Sequence, residues 1–408
     1  MQTSKIDFNK TNINHSVFAL LDYWVKYTTD EEHGGFYTVS SGNRIQKEAD
    51  RSLIVTSRLL YAFSAAGNLK LSYKKAAERA YRYLKEKFLD IQYGGAYKEV
   101  SYRGEATSTD KEVYSISFLI YALAEYFKLT GDKECRNIAF QLFQNIESHA
   151  WDDEESGYFD LFTREWKMPT QCRRRGTSSA PDLKTLRSHM HMLEACTNLY
   201  SVYKNTQVKN RMIWLTKQIC ETFTDGETGK LYQFFSRNWK KIEAYENFGD
   251  ELEVSWQILD CTNILANKAG LRKEAEKTAV ILANHTLENG FDRECGGMYL
   301  EKDQRGTIRN KEWWAQAEAV NGYLSIYFIT KEEKYLQAAY MCWQFIRTYL
   351  IMPEGDWRWC VSRTGSETLP EPKQGPRKCP YHNTRMLLRL KNAVESMEER
   401  KDKSNASG

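Results

Sequence analysis

Long apolar runs are missing from this chain of 408 residues, and with them the usual mark of a membrane-spanning helix. Residues 1–10 are polar and lack the apolar region of a secretory signal. The nine cysteines are scattered, with no Cys-x-x-Cys pair and no Cys/His spacing typical of a zinc site. Together these absences predict a cytoplasmic protein with reduced thiols, no membrane partner and no bound metal.

Charge is nearly balanced, with 58 Lys and Arg against 54 Asp and Glu and a formal net charge of +4. The dense basic stripe of a nucleic-acid-binding protein is absent, so no nucleic-acid partner is expected. Aromatic residues are plentiful by contrast, because 11 Trp and 25 Tyr contribute to an aromatic fraction of 13%. Trp and Tyr suit a concave site that stacks on sugar rings, although about half of the Trp could equally fill space between helices.

A glycine turn followed by a short aromatic segment recurs along the chain at intervals of roughly 60 to 75 residues, the mark of a repeated structural unit. Each copy has the pattern of a small hairpin. The clear copies are residues 33–37 (His-Gly-Gly-Phe-Tyr), 93–97, 156–159 and 295–299, and the weaker ones are 228–232 and 355–359.

Amphipathic stretches with helical periodicity separate these turns. They are residues 14–28, 50–67, 73–88, 111–129, 133–149, 185–204, 207–223, 250–266, 272–286, 311–328, 333–349 and 383–397. Twelve helices with short connections pair as antiparallel neighbours, so the pattern predicts an all-α (α/α)₆ barrel, a toroid of six helix pairs with short β-hairpins in the loops at one end. One domain is expected over residues 1–397, followed by a flexible tail at 398–408.

Two of the seven histidines, His189 and His191, lie two residues apart at the start of a predicted helix. Residues at this spacing face different directions, so only one of them can point into a given site. A histidine at a helix start is more often structural, which is the interpretation favoured for His189. His191 has Glu194 three residues later on the same face, and the residue types leave a functional and a structural role equally open.

Asp250, Glu253 and Trp256 follow one another at three-residue spacing at the start of another predicted helix, so they share a face. Neighbouring carboxylates raise the pKa of one of them by repulsion, which yields an acid/base group that works near neutral pH. The alternative for Asp250 is a helix cap that satisfies free N–H groups. Glu253 stands between two apolar residues and has no such explanation.

Three further positions combine a polar side chain with a rigid support. Trp314 and Glu318 are four residues apart on one helix face and could hold a sugar by stacking and by hydrogen bonds to hydroxyls. His382 follows Pro380 at the junction of a long loop and the last helix, a usual place for a functional group. Arg58 lies among apolar neighbours in a predicted helix, where a charge needs a partner or a ligand.

In their order along the chain, these motifs resemble the N-acylglucosamine 2-epimerase superfamily, and most closely its cellobiose 2-epimerase branch. The resemblance spans nearly the whole chain and rests on five segments: residues 33–37, the helix around Arg58, 189–200 (His-x-His-x-Leu-Glu-Ala-x-Thr-Asn-Leu-Tyr), 313–318 (Trp-Trp-x-Gln-Ala-Glu) and 379–383 (Cys-Pro-Tyr-His-Asn). It implies an (α/α)₆ barrel that transfers a proton at C2 of a reducing sugar without a cofactor or metal. The sugar ring opens, a base removes the C2 proton to give an enediolate, and reprotonation gives the C2 epimer or the ketose.

The resemblance also implies a role for each matched residue. Arg58 would neutralise the enediolate oxygen, His191 would assist ring opening, and His382 would be one of two acid/base groups. Asp250 stands where the family has the second catalytic histidine. The expected substrate-binding residues are Glu253, Trp256, Trp314, Glu318, Arg187, Arg377 and Tyr114. The expected partner is a mono- or disaccharide, and the expected assembly is a monomer or homodimer.

Three departures from the family pattern leave the reaction open. Asp250 replaces a histidine, Arg187 an asparagine before the His-x-His block, and Arg377 a stacking tryptophan of the cellobiose branch. In one interpretation Asp250 is a carboxylate base, and in a second His382 alone moves the proton from C2 to C1, as an aldose–ketose isomerase does. In a third, the two arginines and the Arg173-Arg174-Arg175 loop bind an anionic sugar, although such a loop is more often a solvated surface.

Two other classes remain as alternatives. A glycoside hydrolase on the same toroid could use Asp250 with a second carboxylate, Glu318 or Glu253. A non-catalytic sugar-binding protein would have lost several acid/base positions. His191, His382, Arg58 and Glu253 are all present, which favours an enzyme.

Overall fold

The computed structural model describes residues 6–40, 44–170, 181–266, 268–370 and 378–406. Within these ranges lie twelve α-helices: α1 Lys10–Thr28, α2 Leu53–Ala65, α3 Leu71–Tyr83, α4 Val113–Thr130, α5 Lys133–His149, α6 Leu186–Val202, α7 Thr206–Gln218, α8 Phe248–Ile264, α9 Ala269–Asn289, α10 Trp313–Thr330, α11 Glu333–Phe345 and α12 Tyr381–Ala406. Every predicted helical stretch corresponds to one of them.

The even-numbered helices form a closed inner ring. α2 packs on α4, α4 on α6, α6 on α8, α8 on α10, α10 on α12, and α12 returns to α2. Each odd-numbered helix packs on the outside, most closely on an inner helix next to it in sequence, except that α1 packs on α12. This closed double ring confirms the predicted (α/α)₆ barrel.

Burial follows the two rings. α4 is buried continuously from Val113 to Ala124, because it touches neighbours on every side. Outer helix α3 buries only one stripe, with Tyr73, Ala76, Ala77 and Ala80 among its members, and leaves its other face to solvent. The buried apolar side chains of the described residues form one continuous cluster from Phe8 to Val394. None of the described helices is both long enough and apolar enough to cross a membrane.

In the part of the chain that the structure describes, sixteen short strands occupy the loops: β1 Thr38–Ser40, β2 Arg44–Gln46, β3 Arg51–Ser52, β4 Glu99–Val100, β5 Ala106–Ser108, β6 Lys111–Glu112, β7 Leu161–Phe162, β8 Lys184–Thr185, β9 Phe234–Phe235, β10 Lys241–Ile242, β11 Glu246–Asn247, β12 Glu301–Asp303, β13 Gly306–Ile308, β14 Lys311–Glu312, β15 Cys360–Val361 and β16 Thr368–Leu369. They pair antiparallel as β1-β2, β3-β4-β5, β6-β7, β8-β9-β10, β11-β12-β13 and β14-β15-β16. Since β3, β6, β8, β11 and β14 each lead directly into an inner helix, the sheets gather at the end where the inner helices begin.

The six glycine turns lie at the same end and share one geometry. Each is closed by a single antiparallel bridge, and the bridges are Thr29–Phe36, Leu89–Ala96, Trp151–Tyr158, Thr224–Leu231, Phe291–Met298 and Ile351–Trp357. Gly35 shows why glycine is needed: its φ is +65°, and a Cβ there would lie 2.9 Å from Cγ of Tyr83. The predicted sixfold repeat is therefore a structural repeat.

A buried ion pair fixes most of these turns to the next inner helix. In four repeats an aspartate at the turn bonds a cation two residues before that helix: Asp30 with Arg51, Asp90 with Lys111, Asp152 with Lys184 and Asp292 with Lys311. The repeat that precedes α8 differs, because Glu246 occupies the position of the cation. Asp225 of that turn is 3.9 Å from Lys241 instead.

The last helix is long. α12 continues to Ala406 and takes in most of the segment for which the sequence predicts a flexible tail. Its last turns contain Glu, Arg and Lys, which are good helix formers, and Glu395 forms a 2.8 Å ion pair with Lys10. A charged composition alone therefore does not end this helix.

Candidate active site

The predicted site residues converge on the open end of the inner ring. The structure brings together, within the first two turns of the inner helices, Arg58 (α2), Tyr114 (α4), Arg187 and His191 (α6), Asp250 and Glu253 (α8), Trp314 and Glu318 (α10), and His382 (α12). Because helix N-termini carry partial positive charge, six of them around one hollow favour negative charge at its centre. We call this hollow the bowl. Arg377 and the loop Arg173-Arg174-Arg175 lie outside the described residues.

His382 is oriented by a buried carboxylate. Its Nδ1 is 2.7 Å from Oε1 of Glu318, and both residues are buried. Burial lowers the pKa of His382 to about 3; the nearby charge of Arg58 adds to this effect, and Glu318 opposes it. The imidazole is therefore neutral with its Nδ1–H donated to Glu318, which leaves the lone pair on Nε2, the arrangement of a general base.

Arg385 lies at the centre of the buried charges. It donates to Glu253 at 2.8 Å and to Glu318 at 2.7 Å, and it also bonds Glu194 and the hydroxyl of Tyr381. Its guanidinium packs 4.5 Å from the ring of Trp256. One cation therefore holds three carboxyl groups from three inner helices, and burial and the charge of Glu318 raise the pKa of one of them, Glu253, well above its usual value.

Two groups in the described residues, His191/Glu194/Glu253 and Glu253/Glu318/His382, bring possible metal-ligand atoms within 4.8 Å of one another. Arg385 bonds Glu194, Glu253 and Glu318, so the positive charge that these carboxylates require is supplied by the guanidinium. A metal at either group would have to displace a buried arginine. The donor set therefore fits an arginine better than a metal.

Replacing Arg385 with Gln is expected to destabilise the protein by about 3–5 kcal/mol, because it leaves the buried carboxylates of Glu194 and Glu318 without the cation that lowers their pKa values. The free energy of unfolding in urea measures this loss. Arg389→Gln is the matched control. Arg389 lies one turn later on α12, also packs 4.5 Å from Trp256, and pairs with the partly exposed Asp260. Its loss should cost at most about 1 kcal/mol. Equal losses in the two variants would contradict the central role of Arg385.

His191 is held in the same way as His382. Its Nδ1 is 3.1 Å from Oε2 of Glu194, and burial lowers its pKa. Its ring packs against the aromatic rings of Tyr114 and Phe118. His189, by contrast, uses both ring nitrogens on the backbone, with Nδ1 2.7 Å from the Thr185 carbonyl and Nε2 accepting from the Tyr158 N–H at 3.1 Å. The structural interpretation of His189 agrees with these contacts.

Arg58 is a buried cation without a carboxylate. Its guanidinium donates to the Tyr114 hydroxyl at 3.2 Å and lies over the rings of Phe118 and Tyr381 at 4.2 and 5.0 Å. Its side chain lies within ion-pair distance of no carboxylate of the described residues, and Nε has no hydrogen-bond partner among them. Burial works to lower its pKa, but the nearby groups Tyr114, Cys379, Tyr381 and Glu253 raise the pKa overall. Arg58 is 4% exposed, so water does not solvate its charge in place of an anion.

Asp250 has a shifted pKa, but not for the reason that the spacing suggests. Burial raises its pKa to about 7, the charges of Glu251 and Glu301 act in the same direction, and a hydrogen bond from Gln233 at 3.2 Å opposes them. Repulsion by Glu253, the cause that the sequence predicts for a raised pKa of Asp250, is not among these effects, because the carboxyl group of Glu253 turns inward to Arg385. A helix-capping role is also excluded, because the side chain of Asn247 caps α8 by accepting from the Asp250 N–H.

Trp314 links Asp250 to His382. Its ring is 5.7 Å from the His382 ring, and its N–H bonds Glu312 at 2.7 Å. A Cβ at Gly249 would lie 2.7 Å from the Trp314 ring, so glycine allows the indole to lie against the start of α8. The partly exposed Trp314 ring therefore lies close to both His382 and the first turn of α8, where Asp250 is located.

Two predicted substrate-binding residues have other contacts. Trp256 is buried with its N–H donated to Glu318 at 2.8 Å, so it supports the carboxylate beneath the bowl and does not offer a face to a sugar. Arg187 donates to Glu112 and Asp160, both at 3.0 Å, and lies over the ring of Tyr114. Two carboxylates already share the charge of Arg187, which leaves little of it for an anionic ligand.

Sequence reasoning missed three residues that set the properties of this site: Arg385, Gln233 and His285, the last of which bonds Glu251. Arg385 carries a signal in the sequence, because it follows His382 by three residues and is a lone charge before the apolar Met386 and Leu387. No local pattern marks Gln233 or His285. They reach Asp250 and Glu251 only through the tertiary fold.

Comparisons with known proteins agree with this geometry. The sequence profile of the N-acylglucosamine 2-epimerase (GlcNAc 2-epimerase) family matches residues 34–385. A cellobiose 2-epimerase of Bacteroides fragilis is 36% identical over 376 residues, which cover 91% of this chain and 95% of that protein. A D-mannose isomerase of Marinomonas mediterranea is 21% identical over 84% of this chain and 87% of its own. The structure of cellobiose 2-epimerase from Bacillus thermoamylovorans B4167 superposes with a TM-score of 0.86 at 32% identity, covering 94% of this chain and all of that one.

Proposed function

The chain belongs to the N-acylglucosamine 2-epimerase family of carbohydrate epimerases and isomerases, and from this premise we propose that it inverts C2 of a reducing sugar with His382 and Asp250 as the two proton-transfer groups. The observation that carries the proposal is the pairing of a neutral, oriented His382 with a buried and unpaired Arg58. A base beside a buried cation that has no ion-pair partner among the described residues suits a reaction in which proton removal creates an oxyanion.

The reaction begins with ring opening. In the proposed reaction His191, neutral and held by Glu194, moves a proton from the C1 hydroxyl to the ring oxygen, which exposes the aldehyde. Nε2 of His382 then removes the C2 proton, and the electron pair of the C–H bond passes to the carbonyl oxygen. The resulting enediolate carries a negative charge that Arg58 and the surrounding helix N-termini stabilise.

Inversion requires a proton from the opposite face. Asp250, which follows Gly249 where the start of α8 meets the Trp314 ring, donates that proton to C2 and becomes a carboxylate. In the reverse direction the carboxylate of Asp250 is the base and protonated His382 is the acid. The active form of the pair therefore carries one proton, held by either His382 or Asp250. The two pKa values that a pH profile reports are accordingly properties of the pair, not of one residue each.

The shared proton sets the pH dependence of epimerisation. Because the pKa of His382 is about 3 and that of Asp250 about 7, the one-proton form holds its proton on Asp250 and predominates between those values. Above pH 7 Asp250 loses that proton, so kcat/KM for epimerisation is expected to fall about tenfold per pH unit in both directions of the reaction. Measured profiles of kcat/KM from pH 5 to 9 test this, and a plateau through pH 9 would rule out Asp250 as the acid.

Ketose formation is the second candidate reaction, and the D-mannose isomerase relative favours it. Here a proton passes from the C2 hydroxyl oxygen to the oxygen on C1, protonated His382 returns the abstracted proton to C1, and Asp250 takes no part. Isomerisation therefore lacks the decline above pH 7, and the ratio of ketose to C2 epimer rises with pH if both reactions occur. This ratio can be read from the same samples.

Glycoside hydrolysis has weaker support. It needs a protonated carboxylic acid and a second accessible carboxylate. Glu318 and Glu253 are the candidates for the second group, but both are buried and bonded to Arg385. Burial works against ionisation of Glu318, yet the charge of Arg385 and the bond to His382 keep its pKa lowered overall, so Glu318 is already committed as a carboxylate.

We infer a neutral sugar with room for a second ring. Arg187 is neutralised by Glu112 and Asp160, which removes one reason to expect an anionic substrate. A cleft of about 390 Å³ next to the start of α8 is lined by Tyr245, Glu301 and other residues of the β10–β11 and β12–β13 loops. Glu301 pairs across the sheet with the helix cap Asn247. An aromatic and carboxylate lining suits the hydroxyls of the outer ring of a disaccharide such as cellobiose.

Deuterium exchange tests the proposal directly. Cellobiose, lactose, mannose and glucose are incubated with the protein in D₂O and followed by ¹H and ¹³C NMR. A C2 epimer that carries deuterium at C2 is the expected product. Cleavage without label at C2 would favour hydrolysis, and binding without label or turnover would favour a non-catalytic sugar-binding protein.

A further inference from the structure

A second buried charge cluster lies directly behind Asp250, between α8 and outer helix α9. Glu251 follows Asp250 in sequence but turns away from the bowl, and it is fully buried. Its Oε2 is 2.9 Å from Nδ1 of His285 on α9, and the other ring nitrogen of His285 is 3.6 Å from Glu246. We call Glu251, His285 and Glu246 the rear cluster.

The rear cluster occurs in the repeat where the turn aspartate loses its cation; in the repeat before α12 the pair is kept, because Asp356 bonds Lys378 three residues before that helix. Arg51, Lys111, Lys184 and Lys311 stand two residues before their inner helices, whereas Glu246 stands there before α8. His285 from the outer helix thus meets carboxylates where the other repeats have a strand cation. The turn without a strand cation therefore precedes α8, the helix that carries Asp250.

We propose that His285 is a positioning residue for the reaction: by favouring the carboxylate form of Glu251, it places a negative charge beside Asp250 and keeps Asp250 protonated to higher pH, ready to act as the acid. This inference rests on the proposed role of Asp250. The substrate does not touch His285, which acts through Glu251.

The titration behaviour of the cluster agrees with this geometry. Burial raises the pKa of Glu251 to about 7, and the hydrogen bond and charge of His285 oppose the rise. Burial lowers the pKa of His285, but Glu251 and Glu246 more than offset this and raise it overall. Without His285, Glu251 would take up a proton more readily, and its charge next to Asp250 would disappear.

Other charges face these groups from every element packed against them. Asp250 also meets Glu301 on β12 and Arg187 on α6. His285 meets Lys302 on β12, and Glu246 lies 3.7 Å from Lys230. These charges are retained when Glu251 or His285 is replaced. A change in the pKa of Asp250 in those variants therefore reports the effect of the rear cluster.

Glu251→Gln and His285→Gln test the inference, since both remove the negative charge beside Asp250, one directly and one through protonation of Glu251. In both variants the pH above which epimerisation declines should fall by about 0.5–1 pH unit. The double variant should shift no further than Glu251→Gln alone, because both changes act through the same charge. His149→Gln is the control: this exposed histidine on outer helix α5 stacks on Trp166, and its profile should match that of the unchanged protein.

A measurement without substrate separates this inference from the proposed function. ¹³C NMR of protein labelled at the aspartate carboxyls, assigned with Asp250→Asn, gives the titration midpoint of Asp250 in each folded variant. Midpoints and pH profiles that both move down support the inference, and an unchanged midpoint overturns it. A midpoint that moves while the epimerisation profile does not would also overturn it, because Asp250 would not be the group that limits the reaction.

If the unchanged protein puts no deuterium at C2 of any sugar, the proposed function fails instead. His285→Gln alone suffices should Glu251→Gln not fold, since His285 lies partly at the surface.

Discussion

Asp250→Asn is expected to reduce C2 epimerisation by about 10²–10⁴-fold while leaving the protein able to remove the C2 proton. The amide has nearly the same shape as the carboxyl group but cannot hold or release the proton that inversion requires. His382, Glu318 and Arg58 remain, so the enediolate still forms and is reprotonated on the face of His382 or at C1. NMR in D₂O is expected to show deuterium in recovered substrate or ketose, with the C2 epimer almost absent.

Asp303→Asn is the control for this result. Asp303 lines the neighbouring cleft and pairs with Arg305 at 2.6 Å, so it is a carboxylate near the site but outside the proton path. Its loss should change KM more than kcat. Retention of epimerisation in Asp250→Asn would show that another group supplies the second proton, and loss of exchange together with epimerisation would show that Asp250 is needed before the enediolate forms.

The fold could be predicted from the sequence because its signals are local. A glycine with φ near +65°, such as Gly35, leaves a mark in the sequence, and so does each helix stripe like that of α3. Their repetition in six copies then permits few architectures. The end of α12 was harder to predict, since Glu, Lys and Arg suit both a helix and a solvated tail.

The site could be predicted only where a motif fixes the position of a residue. Arg58, His191 and His382 converge as expected, because each lies early in an inner helix whose start faces the bowl. Helical spacing failed for Asp250 and Glu253: on a helix buried on all sides, a shared face does not mean a shared environment. Glu253 meets Arg385 from α12, and the charge nearest to Asp250 in sequence is Glu251. Such pairings depend on distant helices, which a single sequence does not reveal.

Arg58→Met should lower kcat/KM by about 10²–10³-fold and at the same time raise the thermal stability of the protein. The catalytic loss follows from removing the cation that stabilises the enediolate oxygen. The gain in stability, about 1–2 kcal/mol, follows because a buried guanidinium without a carboxylate costs free energy that a flexible apolar side chain does not. Methionine can keep the packing against Phe118 and Tyr381. Thermal melting and initial rates of deuterium exchange measure the two effects.

Arg51→Met is the control for the combination expected of Arg58→Met, a loss of activity with a gain in stability. Arg51 lies two residues before the same helix and is equally buried, but it pairs with Asp30 at 2.9 Å. Removing it strands a buried carboxylate and should cost about 3–5 kcal/mol. If Arg58 served the fold in the same way, both variants would lose stability, and the case for an anionic intermediate at Arg58 would fail. An Arg58→Met protein that is more stable but inactive would instead show that the charge of Arg58 serves the reaction and lowers the stability of the fold.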